Sequence, residues 1–267
     1  MAGALELSVD GRPATVADLT SVALVNYGAY TSFAVEEGGV RGLDLHLERL
    51  ETSATELFGE PVGQAQLRDL MRLALGDRRE AWMRVGLFAP EIGPRTPGWT
   101  GRPRVLILVS PPAAPLADVA RLAVQPYGRE AAHLKHTATF GLIRARRLAL
   151  AEGSDDALFI EGDGRVSEGS LWNIGFVRGD EVVWPQADML AGVAQALVGR
   201  GLASVGMSGV AEPVRVSDVG AFDGAFYCNS ATPACRITQI GDQRLKTEPA
   251  LIDRIRAAWA SNPPQVI

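Results

Sequence analysis

The sequence contains little lysine. Lys135 and Lys246 are its two lysines, so the 26 basic residues include 24 arginines (26 − 2). The guanidinium group of arginine stays protonated and cannot serve as an amine nucleophile, whereas the ε-amine of lysine can. If the protein forms a covalent bond between an amine and a carbonyl carbon, one of these two side chains must supply the amine.

Cysteine and histidine are also scarce. Cys228 and Cys235 are too few for a disulfide framework and lack the close spacing of a metal site, so we expect buried free thiols. His133 and His136 flank Lys135, but no acidic or thiol cluster accompanies them. The sequence therefore predicts no metal site.

The sequence has neither an excess of basic charge nor a long apolar run. The net charge of −5 gives no basic field for a phosphodiester backbone, which argues against nucleic-acid binding. The strongest apolar run, residues 105–109, is as long as a strand, and the first residues lack a basic start. We expect a soluble cytoplasmic protein that does not interact with membranes.

A length of 267 residues favours two domains. A proline-rich stretch that begins at Ser110 marks the linker, because proline removes backbone donors and fixes φ. We predict a small α+β domain at 1–112, a linker at 113–120 and a larger domain at 121–267. In the small domain, periodicity predicts strands at 5–9, 21–30, 82–88 and 105–109 and helices at 44–58 and about 67–76.

The larger domain is predicted to be rich in strands. Apolar runs separated by Gly/Asp turns indicate a meander of short strands between Ala157 and Trp184. The same patterns predict further strands at 121–125, 225–228 and 235–240, and helices at about 138–149, from Gly192 to Val198 and after Thr247.

Four features of the sequence fit the needs of one cofactor. Lys135 precedes a helix, Glu168 lies between small residues before a strand, Gly192 opens a helix, and Arg49 lies in a His-Leu-Glu-Arg-Leu segment. Pyridoxal phosphate needs an amine for its aldehyde, an anion for its ring nitrogen and positive potential for its phosphate. Taken alone, Glu168 is equally consistent with a solvated turn charge. Lys246 lies in a polar segment without a comparable partner.

These residues resemble the class IV aminotransferase family, the fold-type IV pyridoxal-phosphate enzymes, which include branched-chain and D-amino-acid aminotransferases and aminodeoxychorismate lyases. The family's Glu-x-small-x-x-Asn pattern is met by Glu168, Ser170 and Asn173, and its His-x-x-Arg-Leu pattern by His46 and Arg49. The resemblance implies an α/β (α+β) fold with a β-rich pseudo-barrel in the larger domain. It also implies pyridoxal 5'-phosphate as cofactor, amino and 2-oxo acids as substrates, and a homodimer.

The resemblance implies a role for individual residues. Lys135 is the catalytic amine and Glu168 the partner of the ring nitrogen. Arg84 is expected to meet a substrate carboxylate, although a solvent-facing strand charge is an equal alternative, and Tyr27 and Tyr30 either line the pocket or belong to the core. The phosphate contacts are expected from Arg49, Gly192, Val193, Ala194 and Ser230.

The sequence also departs from the family. Ala194 replaces a threonine of the phosphate-binding turn, Phe140 replaces a tyrosine of the branched-chain enzymes, and the acidic residue expected shortly after Gly28 is absent. The last two of these changes argue against a branched-chain enzyme, whereas Ala194 removes one hydroxyl contact to the phosphate. Three interpretations stay open: an aminotransferase acting on an amino acid or amine and a 2-oxo acid, a lyase of the aminodeoxychorismate type, and a non-catalytic relative.

Overall fold

The computed structural model describes residues 6–114 and 117–267. Its contacts group these residues into two compact units. Unit 1 contains residues 6–114 together with Leu134–Ala138 and Pro264–Ile267, and unit 2 contains 117–133 and 139–263. The grouping differs from the predicted domain boundaries at the two short segments that join unit 1, and the boundaries themselves stay a prediction.

Unit 1 is an α+β unit built on an antiparallel five-stranded sheet, with the strand order β2-β1-β6-β5-β3. Two helices place apolar side chains such as Leu47 and Met71 in one core with Met83 and Ile107 of the sheet. A short C-terminal strand, β16, pairs with β4. The elements are β1 (Glu6–Val9), β2 (Arg12–Pro13), α1 (Val16–Leu24), β3 (Gly28–Val35), β4 (Gly39–Arg41), α2 (Leu43–Phe58), α3 (Gln64–Leu75), β5 (Ala81–Phe88), β6 (Arg104–Ser110) and β16 (Pro264–Val266).

The predicted strand at 21–30 is wrong, because this stretch contains the end of a helix and the start of β3. Helix α1 begins after Thr15, whose hydroxyl accepts from the Asp18 amide while the Asp18 carboxylate accepts from the Thr15 amide. Such a capping box satisfies two donors that have no partner inside a helix. Asp18 also binds the guanidinium of Arg12. These local polar contacts favour a helix here, although the β-branched residues of the stretch favour a strand.

Unit 2 contains a nine-stranded mixed sheet. Eight of its strands follow the order β12-β11-β10-β13-β14-β7-β8-β9, and β15 pairs with β14. The sheet curls, since β9 at one end also approaches β10 and β11. The elements are β7 (Val119–Pro126), α4 (Phe140–Ala151), β8 (Asp156–Ile160), β9 (Val166–Gly169), β10 (Asn173–Arg178), β11 (Glu181–Pro185), α5 (Val193–Gly201), β12 (Ser208–Glu212), β13 (Gly224–Asn229), β14 (Thr232–Ile240), β15 (Gln243–Arg244) and α6 (Pro249–Ala260).

The predicted fold class, α/β with a curled β-rich second half, is confirmed. Most predicted helices and strands lie within a few residues of their observed positions, although Leu5 of the first predicted strand lies outside the described residues. Within the predicted meander, no apolar run indicated β9, the strand that contains Glu168. Strand β7 begins at Val119, inside the predicted linker. No helix in the described residues is long and apolar enough to cross a bilayer.

Candidate active site

In unit 1, the segment that carries Lys135 lies along the outer edge of the sheet. Strand β3 is the last strand of this sheet, and its unpaired side bonds to residues 134–138. The amide of Tyr30 donates to the carbonyl oxygen of Lys135 at 2.9 Å, and the amide of Thr137 donates to the carbonyl oxygen of Gly28 at 2.9 Å. The backbone on either side of Lys135 is thus fixed by strand-like hydrogen bonds.

The side chain of Lys135 lies beside an aromatic ring and a second cation. Its Nζ is 4.9 Å from the ring centroid of Tyr30, and Cζ of Arg84 is 3.6 Å from the same centroid. Tyr30 is 8% exposed, whereas Arg84 projects into solvent from β5. Because the faces of an aromatic ring attract cations, Tyr30 orients both groups. The structure therefore brings together three of the predicted site residues.

Helix α2 places Arg49 near the same group. His46, one turn before Arg49, is buried, and its Nδ1 lies 2.6 Å from Oγ1 of Thr31 in β3. Burial lowers the pKa of His46 well below its ordinary value, and the charges of Arg49 and Lys135 lower it further. A neutral imidazole therefore links α2 to β3 without adding another positive charge to those of Arg49 and Lys135.

Tyr27 lies elsewhere in unit 1. Its hydroxyl donates to the carbonyl oxygen of Leu57 at 3.3 Å, and its ring packs edge-on against Phe58 at the end of α2. The side chain is 43% exposed. These contacts explain its position by packing, and its role in substrate binding stays a prediction.

In unit 2, Glu168 is a buried carboxylate with a positive partner. Its Oε1 lies 3.0 Å from Nε of Arg129, and the two side chains are 9% and 6% exposed. Arg129 also donates to the carbonyl oxygen of Ala132. A solvated turn charge, the alternative considered for Glu168, does not fit this burial. Arg129 was missed by the sequence analysis, because nothing in the Tyr-Gly-Arg segment marks it as a partner of a distant glutamate.

The two ends of the Glu-x-small-x-x-Asn pattern bind the same residue. Oε2 of Glu168 accepts from the amide of Leu190 at 3.2 Å, and Nδ2 of Asn173 donates to the carbonyl oxygen of Leu190 at 2.8 Å. Leu190 lies two residues before Gly192, which precedes α5. The pattern therefore holds the turn that leads into this helix.

The first turn of α5 carries the predicted phosphate-binding residues. Gly192 is its N-cap and has no side chain that could accept from the backbone N–H groups of the first turn, which include those of Val193 and Ala194. A Cβ atom at Gly192 would lie 2.0 Å from Oδ1 of Asn173, so a side chain here would displace the asparagine. Val193 and Ala194 are buried, and their side chains belong to the helix's packing face.

Ser230 is half-buried in the turn between β13 and β14. The turn is fixed by Asn229, whose side-chain oxygen accepts from the amides of Ala231 and Thr232 at 3.0 and 2.9 Å. The structure thus places Gly192, Val193, Ala194, Glu168 and Ser230 in unit 2, and Lys135, Arg49, Arg84, Tyr27 and Tyr30 in unit 1.

The second lysine, the two cysteines and the possible metal-ligating side chains are the remaining candidate groups. Lys246 is exposed in the segment that precedes α6. Cys228 and Cys235 are buried free thiols, as predicted, and burial raises the pKa of Cys235 to about 11. Within residues 6–114 and 117–267, no group of three or more His, Cys, Asp or Glu side chains could hold a metal ion.

The comparisons with known proteins identify the family and the fold of the chain. A family model described as amino-transferase class IV matches residues 28–240, and the chain therefore belongs to the class IV aminotransferase family. No curated protein matches the sequence significantly. Solved structures share the fold at low sequence identity.

Three of these structures cover most of the chain. A branched-chain aminotransferase from Thermoproteus uzoniensis, solved with norvaline, has a TM-score of 0.82 at 20% identity and covers 98% of this chain and 99% of its own. An aminotransferase from Brucella abortus bound to PLP has a TM-score of 0.81 at 20% identity, with 97% and 99% covered. A protein from Legionella pneumophila assigned as a 4-amino-4-deoxychorismate lyase has a TM-score of 0.79 at 19% identity, with 90% and 93% covered.

The residues of the chain suit pyridoxal phosphate in their chemistry. Glu168 is a buried carboxylate, and a carboxylate is a suitable partner for a protonated ring nitrogen. The first turn of a helix without a side-chain cap favours an anion such as a phosphate. Lys135 supplies an amine whose backbone is fixed.

Proposed function

We propose that the protein is a pyridoxal-phosphate-dependent aminotransferase that moves an amino group between an amino acid or amine and a 2-oxo acid. Family membership makes pyridoxal phosphate the cofactor. The observation that carries the proposal is the buried carboxylate of Glu168, held by Arg129 and the amide of Leu190. Burying a charge costs several kcal/mol unless it is paired, and such an arrangement is typical of a functional site.

The bound cofactor supplies an electron sink for the bonds at the substrate α-carbon. Glu168 would keep a proton on the ring nitrogen, because a nearby carboxylate favours the charged form of a base. Val193 and Ala194 would donate backbone N–H groups to the phosphate, and Arg49 and Ser230 would add a charge and a hydroxyl. Together these residues would fix the cofactor's orientation.

Lys135 would have two tasks. Its Nζ would bind the cofactor aldehyde covalently, and after displacement by the substrate amine the same atom would take the proton from the substrate α-carbon. Arg84 would bind the substrate carboxylate through its guanidinium, with Tyr30 holding the guanidinium plane. We propose Tyr27 as a more distant part of the same substrate-binding region.

A single reaction series tests the function. The purified protein, loaded with pyridoxal phosphate, is incubated with a panel of amino acids and amines, with 2-oxoglutarate or pyruvate as acceptor or with no acceptor. An aminotransferase forms new amino acid from the 2-oxo acid and forms little product without it. Lys135→Ala should abolish this transfer, and Lys246→Ala is the matched control that should retain it.

The lyase interpretation is the second candidate. It is motivated by the segment Leu134-Lys135-His136, which resembles the Leu-Lys-His segment around the lysine of aminodeoxychorismate lyases. Release of pyruvate from 4-amino-4-deoxychorismate in the absence of any 2-oxo acid would support it and would replace the aminotransferase proposal. A protein that takes up no pyridoxal phosphate would instead support the non-catalytic interpretation.

A further inference from the structure

A buried carboxylate accepts hydrogen bonds from the segment between Glu168 and Asn173. Asp156, at the start of β8, is 4% exposed. Its Oδ1 accepts from the hydroxyl of Ser170 at 2.6 Å, and its Oδ2 accepts from the indole Nε1 of Trp172 at 3.0 Å. Ser170 and Trp172 are themselves buried. Asp156 therefore bonds to two of the four residues that separate Glu168 from Asn173.

The contact with Trp172 fixes the shape of this segment. The amide of Gly169 donates to the carbonyl oxygen of Trp172 at 2.9 Å, which closes a turn. A Cβ atom at Gly169 would lie 2.2 Å from the indole ring, so the ring lies directly over the backbone of Gly169. The ring of Tyr227 stacks on that of Trp172, with the centroids 4.8 Å apart. The indole is thus held by Gly169, Tyr227 and the carboxylate of Asp156.

The segment also contacts the turn before α5 through Glu168 and Asn173. Trp172 directly precedes Asn173, and Gly169 directly follows Glu168, so the segment sets the positions of both side chains. Both of them bind the backbone of Leu190. A path of hydrogen bonds thus runs from Asp156, through the segment, to Leu190.

We propose that Asp156 is a positioning residue, which holds Glu168 and Asn173 in the arrangement that binds Leu190 and thereby shapes the turn that precedes α5. The carboxylate is suited to this task because each of its two oxygens accepts from one donor of the segment, Ser170 or Trp172. It also accepts from the amide of Ala157 and lies 3.6 Å from Nε of Arg146. An amide of the same shape would present a donor where one of these acceptors now lies. The only link to the proposed function is the expectation that this turn binds the cofactor phosphate.

The experiment compares Asp156→Asn with the matched control Asp155→Asn. Asp155 is the neighbouring carboxylate, is 45% exposed and bonds to the backbone and side chain of Arg121. Amide hydrogen exchange of the protein without cofactor is followed by mass spectrometry in peptides that cover residues 168–173 and 188–192, and in β13 as an internal reference. Exchange reports local opening, so a positioning role and a general loss of stability give different patterns.

We expect Asp156→Asn to raise exchange in the peptides covering 168–173 and 188–192 by about tenfold, because it weakens a charged hydrogen bond that holds the segment, and tenfold corresponds to about 1.4 kcal/mol. Exchange in β13 and in Asp155→Asn should stay as in the wild type. Equal acceleration in β13, or no acceleration near Leu190, would overturn the proposal.

Two milder variants keep the test informative if Asp156→Asn folds poorly. Ser170→Ala and Trp172→Phe each remove one donor and leave Asp156 in place, and the phenylalanine ring can still stack on Tyr227. Each should raise exchange near Leu190 by a smaller factor. If Asp156 acts through these donors, adding Trp172→Phe to Asp156→Asn should have less effect than Trp172→Phe alone, whereas fully additive effects would contradict the proposal.

Binding of pyridoxal phosphate gives an independent readout. If the wild type binds it, Asp156→Asn should raise the dissociation constant by about tenfold, since the mispositioned turn loses contacts worth about 1.4 kcal/mol. An unchanged constant would overturn the positioning role. If the wild type does not bind it, the proposed function fails, while the exchange experiment still decides the role of Asp156.

Discussion

Arg129 and Glu168 form an ion pair with Nε and Oε1 3.0 Å apart, and both side chains are more than nine-tenths buried. Neither charge has enough water around it to be stable alone. Each group of the pair therefore offsets part of the cost of burying the other's charge inside unit 2. This dependence can be measured without any substrate.

Arg129→Met should lower the free energy of unfolding of the cofactor-free protein by about 3–5 kcal/mol, because it removes one partner of a buried ion pair. The double variant Arg129→Met/Glu168→Met should recover part of this loss. Arg178→Gln is the control, since Arg178 pairs with Glu181 and Glu212 at the surface and should change stability little. Urea denaturation measures all three, and equal effects of Arg129→Met and Arg178→Gln would contradict the account.

His46 predicts a loss of stability at mildly acidic pH. Its pKa in the folded protein lies well below 6.5, so the unfolded chain binds a proton that the folded chain does not once the pH falls below 6.5. Stability should therefore fall as the pH decreases, by at most about 1.4 kcal/mol per pH unit from this group.

Denaturation of His46→Gln between pH 7 and pH 5 checks the assignment. The variant should have a flatter dependence of stability on pH than the wild type, whatever its absolute stability. His133→Gln replaces an exposed histidine and should keep the wild-type slope. A wild-type slope in His46→Gln would show that other groups cause the dependence.

Replacement by alanine should have different effects at two glycines of α5 and its N-cap. A methyl group at Gly192 would meet Oδ1 of Asn173 at 2.0 Å, so Gly192→Ala should break the bond from Asn173 to Leu190 and weaken binding of pyridoxal phosphate by at least about tenfold. Gly199 lies inside α5 with nothing within 4 Å of its would-be methyl group. Gly199→Ala should leave cofactor binding unchanged and stabilise the helix by up to about 1 kcal/mol. An absorbance titration and thermal unfolding separate the two results.

Arg84 predicts a change in substrate affinity. If its guanidinium binds a substrate carboxylate, Arg84→Gln should raise KM for the 2-oxo acid by about tenfold or more with a smaller change in kcat, as for a lost binding contact. Arg244→Gln changes an exposed arginine of β15 and should alter neither constant. Arg84→Gln with unchanged KM would favour the alternative of a solvent-facing strand charge.

The fold was largely predictable, because its helices and strands have strong periodic patterns. Helix α2 and strands β5, β6 and β14 lie close to the predicted ranges. The failure near residues 21–30 has a local cause: β-branched and aromatic residues favour a strand, but the capping box at Thr15 starts a helix.

The candidate site was only partly predictable from the sequence. The spacing within the Glu168–Asn173 pattern indicated a functional segment, and the structure adds that both ends bind Leu190. Arg129 and Asp156, which hold this segment, are brought to it by the curled sheet. The sequence around Arg129 has no pattern that indicates a functional residue. Asp156 differs only in that it precedes the apolar run 157–160 of β8, and the spacing of residues along the sequence did not reveal either side chain.

In the function that we propose, Lys135 rather than Lys246 binds the cofactor covalently. The protein is incubated with pyridoxal phosphate, treated with borohydride to fix the bond, digested and mapped by mass spectrometry. We expect one modified peptide containing Lys135, whose yield is lost in Lys135→Ala and retained in Lys246→Ala. Equal labelling of both lysines, or labelling that persists in Lys135→Ala, would contradict it.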